Sequence, residues 1–229
     1  MVGAKHLLCV GVTGHRDIAT RYRHQIPTIR SNLSASFTAI QQYAVTAAES
    51  GNRMQPSWRL ISPLAEGVDR LAAELAHDLG FRLSAAIPFP QLEYERDFSA
   101  ESRAEFRRLL AVAKSEDGAI ELAGSRNDVD AAYAAVGDYV ISHSDLLVAV
   151  WDRSRPILRG GTGDVVMGAL GLGRPVIWIS PPLEQPPRLL HGTIARPEGL
   201  PPLRPLADLA LLLRGQLVRP SGESQTAKP

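Results

Sequence analysis

Apolar runs of strand length alternate along the chain with segments whose apolar residues recur at helical spacing. His6–Val12 is apolar almost throughout, the pattern of a strand covered on both faces. Ile26, Ile29, Leu33, Phe37, Ile40 and Ala44 then fall on one face of a long helix. Trp58–Ser62 reads as a second strand. Val68, Leu71, Ala72, Leu75 and Leu79 line a helix that Gly80 can end. Arg82–Ile87 is a third strand, stopped by Pro88 and Pro90. Phe106, Leu109, Leu110 and Ala113 mark the next helix, and Ala119–Leu122 a short strand. Tyr133, Val136, Val140 and His143 share a helix face, with His143 placed to cap its end. Asp145–Trp151 is the clearest buried strand, Asp164–Leu172 a short helix and Val176–Ser180 a last strand.

This alternation predicts an α/β fold: a doubly wound, mostly parallel sheet, Rossmann-like, with helices on both faces. The pattern changes after Ser180. Eight of the 17 prolines lie between Pro181 and Pro205, which predicts an irregular surface connection. Leu206–Leu217 reads as a terminal helix, packed on its own domain or on a partner chain. The expected organisation is therefore one domain over residues 1–181, a Pro-rich extension with a helix over 182–217, and a disordered tail over 218–229.

Composition narrows the function. The 229 residues carry 25 Lys and Arg against 24 Asp and Glu, a net charge of +1, whereas a sequence-independent nucleic-acid binder is normally strongly basic. Nucleic acid is therefore not the expected partner. Cys9 is the single cysteine, so no disulfide within the chain and no cysteine-rich zinc site is possible. No run approaches the ~18 apolar residues of a membrane helix, and the N-terminus does not read as a signal peptide. A cytoplasmic protein is expected, with no metal.

In parallel sheets ligands bind at the carboxyl ends of the strands, and three unusual segments fall there. Gly11-Val12-Thr13-Gly14-His15-Arg16-Asp17 follows the first strand. Its glycines permit a tight turn or close ligand approach, and Thr13 and Arg16 can donate to phosphate or sugar oxygens. The plainer alternative is a strand-to-helix turn with a surface Arg16 and a capping Asp17. His15 fits either a ligand contact or a structural hydrogen bond. Ser62-Pro63-Leu64-Ala65-Glu66-Gly67-Val68-Asp69-Arg70 follows the second strand. A helix beginning near Glu66 aims free N–H groups into the crevice, with Gly67 allowing close approach. Glu66 and Asp69 then accept from ribose hydroxyls or an amino group, or else Asp69 simply pairs with Arg70. Arg159-Gly160-Gly161-Thr162-Gly163-Asp164 precedes a helix and describes an anion-binding turn. Trp151 and Asp152, at the end of the best strand, complete the expected site, Trp151 stacking on a base or packing in the core. Glu93–Phe98 is charged with two aromatics, a lid over the crevice or a solvated loop.

Several common motifs are absent. There is no GxxxxGK[ST], and Val166 occupies the last glycine position of a GxGxxG beginning at Gly161. HExxH and GxSxG are also missing.

Taken together, the three segments resemble the SLOG superfamily, over roughly Leu7 to Pro181. Leu60–Ala76 (LISPLAEGVDRLAAELA) is similar to the S-G-L-A-x-G-[IV]-D pattern of the DNA-processing protein A family. Gly160–Asp164 is similar to the P-G-G-x-G-T-x-x-E turn of the LOG phosphoribohydrolases, and GVTGHRD to YspA/YpsA-related proteins. The resemblance implies a Rossmann-like fold that binds a nucleotide or nucleotide-derived ligand such as AMP or ADP-ribose. In LOG enzymes the reaction splits a base from ribose 5-monophosphate. Here Asp164 stands where that family has Thr, and an apolar residue where it has its Glu. Glu66 and Asp164 are the substitute candidates for a catalytic carboxylate. Glu66 also stands where the DNA-processing family commonly has a basic residue. The expectation is a small-molecule sensor or binding module that needs no cofactor beyond its nucleotide ligand. The alternative is a phosphoribohydrolase, and a homodimer is possible for either.

Overall fold

The computed structural model describes residues 7–50, 56–154, 157–182, 185–192 and 199–217. Within these, strands β1 (Leu7–Gly14), β2 (Ser57–Ser62), β3 (Arg82–Ile87), β4 (Ala119–Glu121), β5 (Leu146–Val150), β6 (Val176–Ile179), β7 (Arg188–Leu190) and β8 (Leu203–Pro205) form one sheet. Its order is β4-β3-β2-β1-β5-β6-β7-β8. Strands β1 to β6 pair in parallel, and β7 and β8 are antiparallel additions at one edge. The chain builds outward from β1 through β4, then returns to start β5 on the other side of β1. The crevice between the carboxyl ends of β1 and β5 is therefore the topological switch point.

Helices α1 (Ile18–Arg21), α2 (Ile26–Ser50), α3 (Val68–Asp78), α4 (Gln91–Tyr94), α5 (Ala100–Glu116), α6 (Val129–Ser142), α7 (Thr162–Gly171) and α8 (Leu209–Leu217) cover the sheet. All five residues of β5 are buried, and they alternate between two cores. Leu146, Val148 and Val150 join the apolar residues of α2, α3 and α5. Leu147, Ala149 and, just beyond the strand, Trp151 join those of α6 and α7. Each buried Val or Leu side chain among them contributes roughly 1.5–3 kcal/mol of transfer free energy, so β5 forms the axis of the domain. Its continuous apolar run is the mark of a strand covered on both faces.

Several boundaries differ from expectation. Strand β1 runs past Val12, because Thr13 and Gly14 still pair with Ala149 and Val150 after pairing to β2 has ended at Gly11. Half of the expected first loop is thus strand. Helix α3 begins at Val68 rather than near Glu66, and α7 at Thr162 rather than Asp164. The Pro-rich segment is not irregular throughout: it supplies β7 and β8 to the same sheet. Its prolines flank β7, and Pro205 ends the outermost strand, where a missing N–H costs no ladder bond. Helix α8 packs on α2, with Leu209 and Leu213 fully buried. Glu93–Phe98 is neither lid nor solvated loop. Tyr94 and Phe98 are buried, and Glu95 binds Arg107 at 2.9 and 2.5 Å. His6 and the tail over 218–229 lie outside the described residues. Among those described, no helix is long and apolar enough to cross a membrane.

Candidate functional site

A cavity of about 350 Å³ opens at the β1/β5 switch point. Thr13, Gly14, His15 and Arg16 line one side, where β1 ends. Trp151 and the turn Gly160–Gly163 line another, and Pro63, Ala65, Asp69, Tyr94 and Tyr133 form its floor. The fold thus brings segments from all three motif regions to one space.

The floor has unusual polar chemistry. Asp69 lies in the first turn of α3 and is 5% exposed. Its Oδ1 is buried without a hydrogen-bond partner. Burial pushes this carboxyl up to about 7, against the opposing pull of Arg16, a backbone hydrogen bond at Ala65 and Arg70. The Tyr94 hydroxyl is likewise buried without a partner. Its ring is wedged edge-on against Phe98 and Phe106, with centroids 4.8 and 5.5 Å away. Beside it, Tyr133 donates to Asp97 at 2.5 Å and accepts from Arg16 Nη1 at 3.1 Å. Burial and the Asp97 hydrogen bond push the Tyr133 hydroxyl up to about 12. Arg126 holds Asp97 in place at 2.7 Å. Arg16 is thereby fixed above the floor, with its guanidinium 5.3 Å from the Tyr133 ring centre.

The glycine turn is built differently. Gly160 has φ +72°, a left-handed conformation that favours glycine, and a Cβ there would lie 2.7 Å from the Ala134 backbone nitrogen on α6. Its N–H donates to Asp164 Oδ2 at 2.8 Å, and the Gly161 N–H donates to Leu158 O at 3.0 Å. These two amides are therefore spent on the turn itself. The groups left toward the cavity are the N–H groups of Thr162 and Gly163 in the first turn of α7, with the positive end of the helix dipole behind them. Gly163 packs close to Trp151, where a Cβ would meet the indole at 3.2 Å.

At the end of β5, Asp152 is enclosed by partners. Tyr22 donates to it at 2.6 Å, Arg21 sits at 2.7 Å and the Ser154 N–H donates at 2.9 Å. Burial alone raises a carboxyl, but the hydrogen bonds from Tyr22 and Ser154 and the nearby His15 outweigh it, holding Asp152 well below the usual carboxylate range. His15 Nε2 lies 3.1 Å from Asp152 Oδ1 and 3.2 Å from its backbone N–H, contacts that require opposite proton states of that nitrogen. Asp152 positions His15 at the cavity wall without lining the cavity itself.

The remaining expected site residues take supporting places. Gly11 faces α6 and the residues just after it, where a Cβ would meet Val140 at 2.8 Å and Ser144 Oγ at 2.7 Å. The Ser62 hydroxyl donates to the Asp69 carbonyl at 3.2 Å and accepts from the Leu64 N–H at 3.1 Å. These bonds hold Leu64 at φ 55°. Gly67, with φ +82°, lets the start of α3 approach the backbone of His15 and Arg16. Glu66 accepts a short hydrogen bond from Ser102 on α5. Neither Glu66 nor Asp164 lines the cavity. Arg70 does not pair with Asp69. Its guanidinium is buried against Phe98, bonded to Leu64 O, Ser102 and Glu105. Arg159 is exposed near Asp128. Trp151 is 3% exposed and sits within the core, its carbonyl accepting from Trp178 Nε1 at 2.7 Å. His143 caps α6, its Nδ1 2.8 Å from Tyr139 O. Tyr94, Asp97 and Tyr133 join the site although no motif marks them. The one available signal is an aromatic, Tyr94, inside a charged run. Among the described residues no cluster of His, Cys, Asp and Glu is placed to hold a metal.

No protein-family model and no curated protein matches the chain. Several solved structures are similar to it, three of them as follows. One is a structural-genomics target, TM1055, with a TM-score of 0.40 and 14% identity over 74% of this chain and 72% of that one. DNA processing protein A from Helicobacter pylori, described for its single-stranded DNA binding mode, gives 0.42 and 16% over 91% and 73%. DNA processing protein A from Streptococcus pneumoniae gives 0.44 and 15% over 92% of this chain and 56% of its own length. At these identities and scores the likeness identifies no shared function, and the functional reading rests on the cavity.

Proposed function

We propose that the chain binds a nucleotide or nucleotide-derived ligand at the β1/β5 crevice, as a sensor or binding module. The observation that carries this reading is a single cavity joining a helix N-terminus to a polar floor. The first turn of α7 offers amide donors and a positive dipole end to a phosphate, and Arg16 and Arg21 add cationic walls. About 350 Å³ falls at the small end of the ~300–1,000 Å³ range of ligand sites. That size favours a mononucleotide such as AMP over ADP-ribose. Calorimetric titration with nucleoside monophosphates, ADP-ribose and a single-stranded oligonucleotide tests the reading. Saturable binding of a mononucleotide, weakened by Arg16→Ala, is expected. Absence of binding by every phosphate-bearing nucleoside defeats it.

A second reading, N-glycosidic hydrolysis of a nucleoside 5′-monophosphate, is favoured by one observation. Asp69 is a cavity-lining carboxyl that holds its proton up to about 7. A general acid for a leaving base needs such a group. Asp69 suits this role better than Glu66 or Asp164, both bonded outside the cavity. Water would add to the anomeric carbon as the base leaves, giving free base and ribose 5-phosphate. Chromatography of AMP incubated with the protein, and with Asp69→Asn, distinguishes binding from turnover.

A further inference from the structure

Beyond the crevice, two arginines meet at one indole on the edge of the sheet. Arg153 follows Asp152 in the loop after β5 and has φ 60°, a left-handed conformation rare for any residue but glycine. Its guanidinium is held 4.5 Å from the centre of the Trp178 ring on β6. Trp178 is buried, and its Nε1 is spent on the Trp151 carbonyl at 2.7 Å. Across the β6–β7 ladder, the residue paired with Trp178 is Arg188. Paired residues of an antiparallel ladder project to one face with Cβ atoms ~5 Å apart. Val176, Trp178 and Leu190 all lie in the core under α6 and α7, so Arg188 stands on that face too. Arg59, Arg70, Arg107 and Arg126 each meet a carboxylate. Among the described residues none pairs with Arg153 or Arg188, and Arg188 Nε is buried without a hydrogen-bond partner. Burial lowers the Arg153 pKa with no negative charge opposing it. Asp152, its chain neighbour, is turned to Tyr22, Arg21 and His15.

We propose that Arg153, braced on Trp178, and Arg188 form a second anion site that takes a phosphoryl group. It does not depend on the nucleotide reading, because neither arginine lines the crevice cavity. Two guanidinium groups gathered at one indole repel each other, and a bound oxyanion turns that repulsion into attraction. Arg153 is exposed and Arg188 half-buried, so both are reached from solvent. Stacking on the indole fixes the plane of the Arg153 guanidinium and leaves its N–H edge for a ligand. The left-handed turn carries that side chain from the end of β5 back over β6, and a residue held in such a conformation is a candidate for function. Two cations suit a phosphoryl group, with two charges and three acceptor oxygens, better than a carboxylate, whose single charge one arginine fork satisfies.

The test is tryptophan fluorescence of the full chain, titrated at fixed ionic strength with inorganic phosphate, glycerol 2-phosphate and acetate. The pH is about 8, where the phosphoryl group carries two charges. Both phosphates are expected to saturate and to change an emission that Trp178→Phe abolishes, and acetate to do neither. The tighter of the two tells a free anion from the end of a larger ligand. Arg153→Gln and Arg188→Gln are each expected to weaken binding about 10-fold. Arg153→Lys keeps the charge without the fork and is expected to weaken it less. Arg153 is exposed, so its variants guard against simple loss of fold. A phosphate signal unchanged in both glutamine variants and in Trp178→Phe belongs to the crevice, and overturns this inference while leaving nucleotide binding intact. Acetate binding as tightly as phosphate overturns the phosphoryl assignment. Absence of phosphate binding overturns the site, whatever the nucleotide titrations show.

Discussion

Asp69 and Asp152 both belong to the crevice region, Asp69 buried at its floor and Asp152 partly buried at the end of β5, and their chemistry is opposite. Asp152 receives Tyr22, Ser154 and Arg21 and stays ionised. Asp69 keeps one oxygen without a donor, and its proton is held up to about 7. Burial raises the pKa of both carboxyls, most at the more deeply buried Asp69, and at Asp152 the donors within reach reverse it. The fold has satisfied one carboxyl to hold the β5 loop and His15, and has left the other to be satisfied from outside. A carboxyl with all its donors in the protein is a structural element. A carboxyl short of one is a candidate for binding.

The largest way to break this contrast is to remove the satisfied member. Asp152→Ala leaves the Tyr22 hydroxyl and the Ser154 N–H without an acceptor, and a loss on the order of 3 kcal/mol is expected in urea unfolding at pH 7. Because the folded carboxyl is held below its unfolded value of ~3.9, its contribution is fully present above that pH. It is lost as pH falls toward the folded value. The gap between wild type and Asp152→Asn is therefore expected to close below about pH 4. A gap that stays constant down to the acid transition contradicts the assignment.

The unsatisfied member has the reverse pH dependence. In the folded protein Asp69 keeps its proton up to about 7, and in the unfolded chain only to ~3.9. Between these values the folded state binds more protons, so stability falls as pH rises and levels off above about 7. Thermal melts from pH 4.5 to 8 are expected to show a decline on the order of 2 kcal/mol that Asp69→Asn removes. Parallel curves for the two proteins would mean that Asp69 is as well supplied with donors as Asp152.

How much of the molecule is legible in its sequence follows the range of the interactions. Strands β1, β2, β3, β5 and β6 and their helices can be read from the chain, because burial on both faces writes a continuous apolar run. Strands β7 and β8 cannot, since three residues between prolines carry no period. At the site, Arg16, Asp69 and the turn at Gly160 stand out from local pattern. Glu66 and Asp164 stand out equally, but their bonds decide otherwise. Asp164 folds back on Gly160, and Glu66 meets Ser102 from a distant helix. Tyr94, Asp97 and Tyr133 reach the crevice through packing between α4, α5 and α6, which no motif records. The glycines are legible as glycines but not as to purpose: Gly14 allows β1 to approach Val68, and Gly160 meets α6. Their packing role is independent of any ligand.

Two tyrosines sharpen the comparison at the smallest scale. The Tyr22 hydroxyl donates to Asp152 at 2.6 Å, whereas the Tyr94 hydroxyl has no partner. Removing the first is expected to cost about 1 kcal/mol, the net worth of a made hydrogen bond, and to move the acid response of Asp152 toward ordinary carboxylate behaviour. Removing the second deletes a polar atom whose desolvation nothing offsets, so Tyr94→Phe is expected to be neutral or to stabilise by about 0.5–1 kcal/mol. Both changes keep the ring, so urea unfolding of the pair compares hydroxyls alone. Opposite signs for the two variants mark Tyr94 as the hydroxyl the fold leaves without a partner. If Tyr94→Phe instead destabilises as Tyr22→Phe does, the floor finds its partners within the protein, and the distinction between the two sides of the crevice disappears.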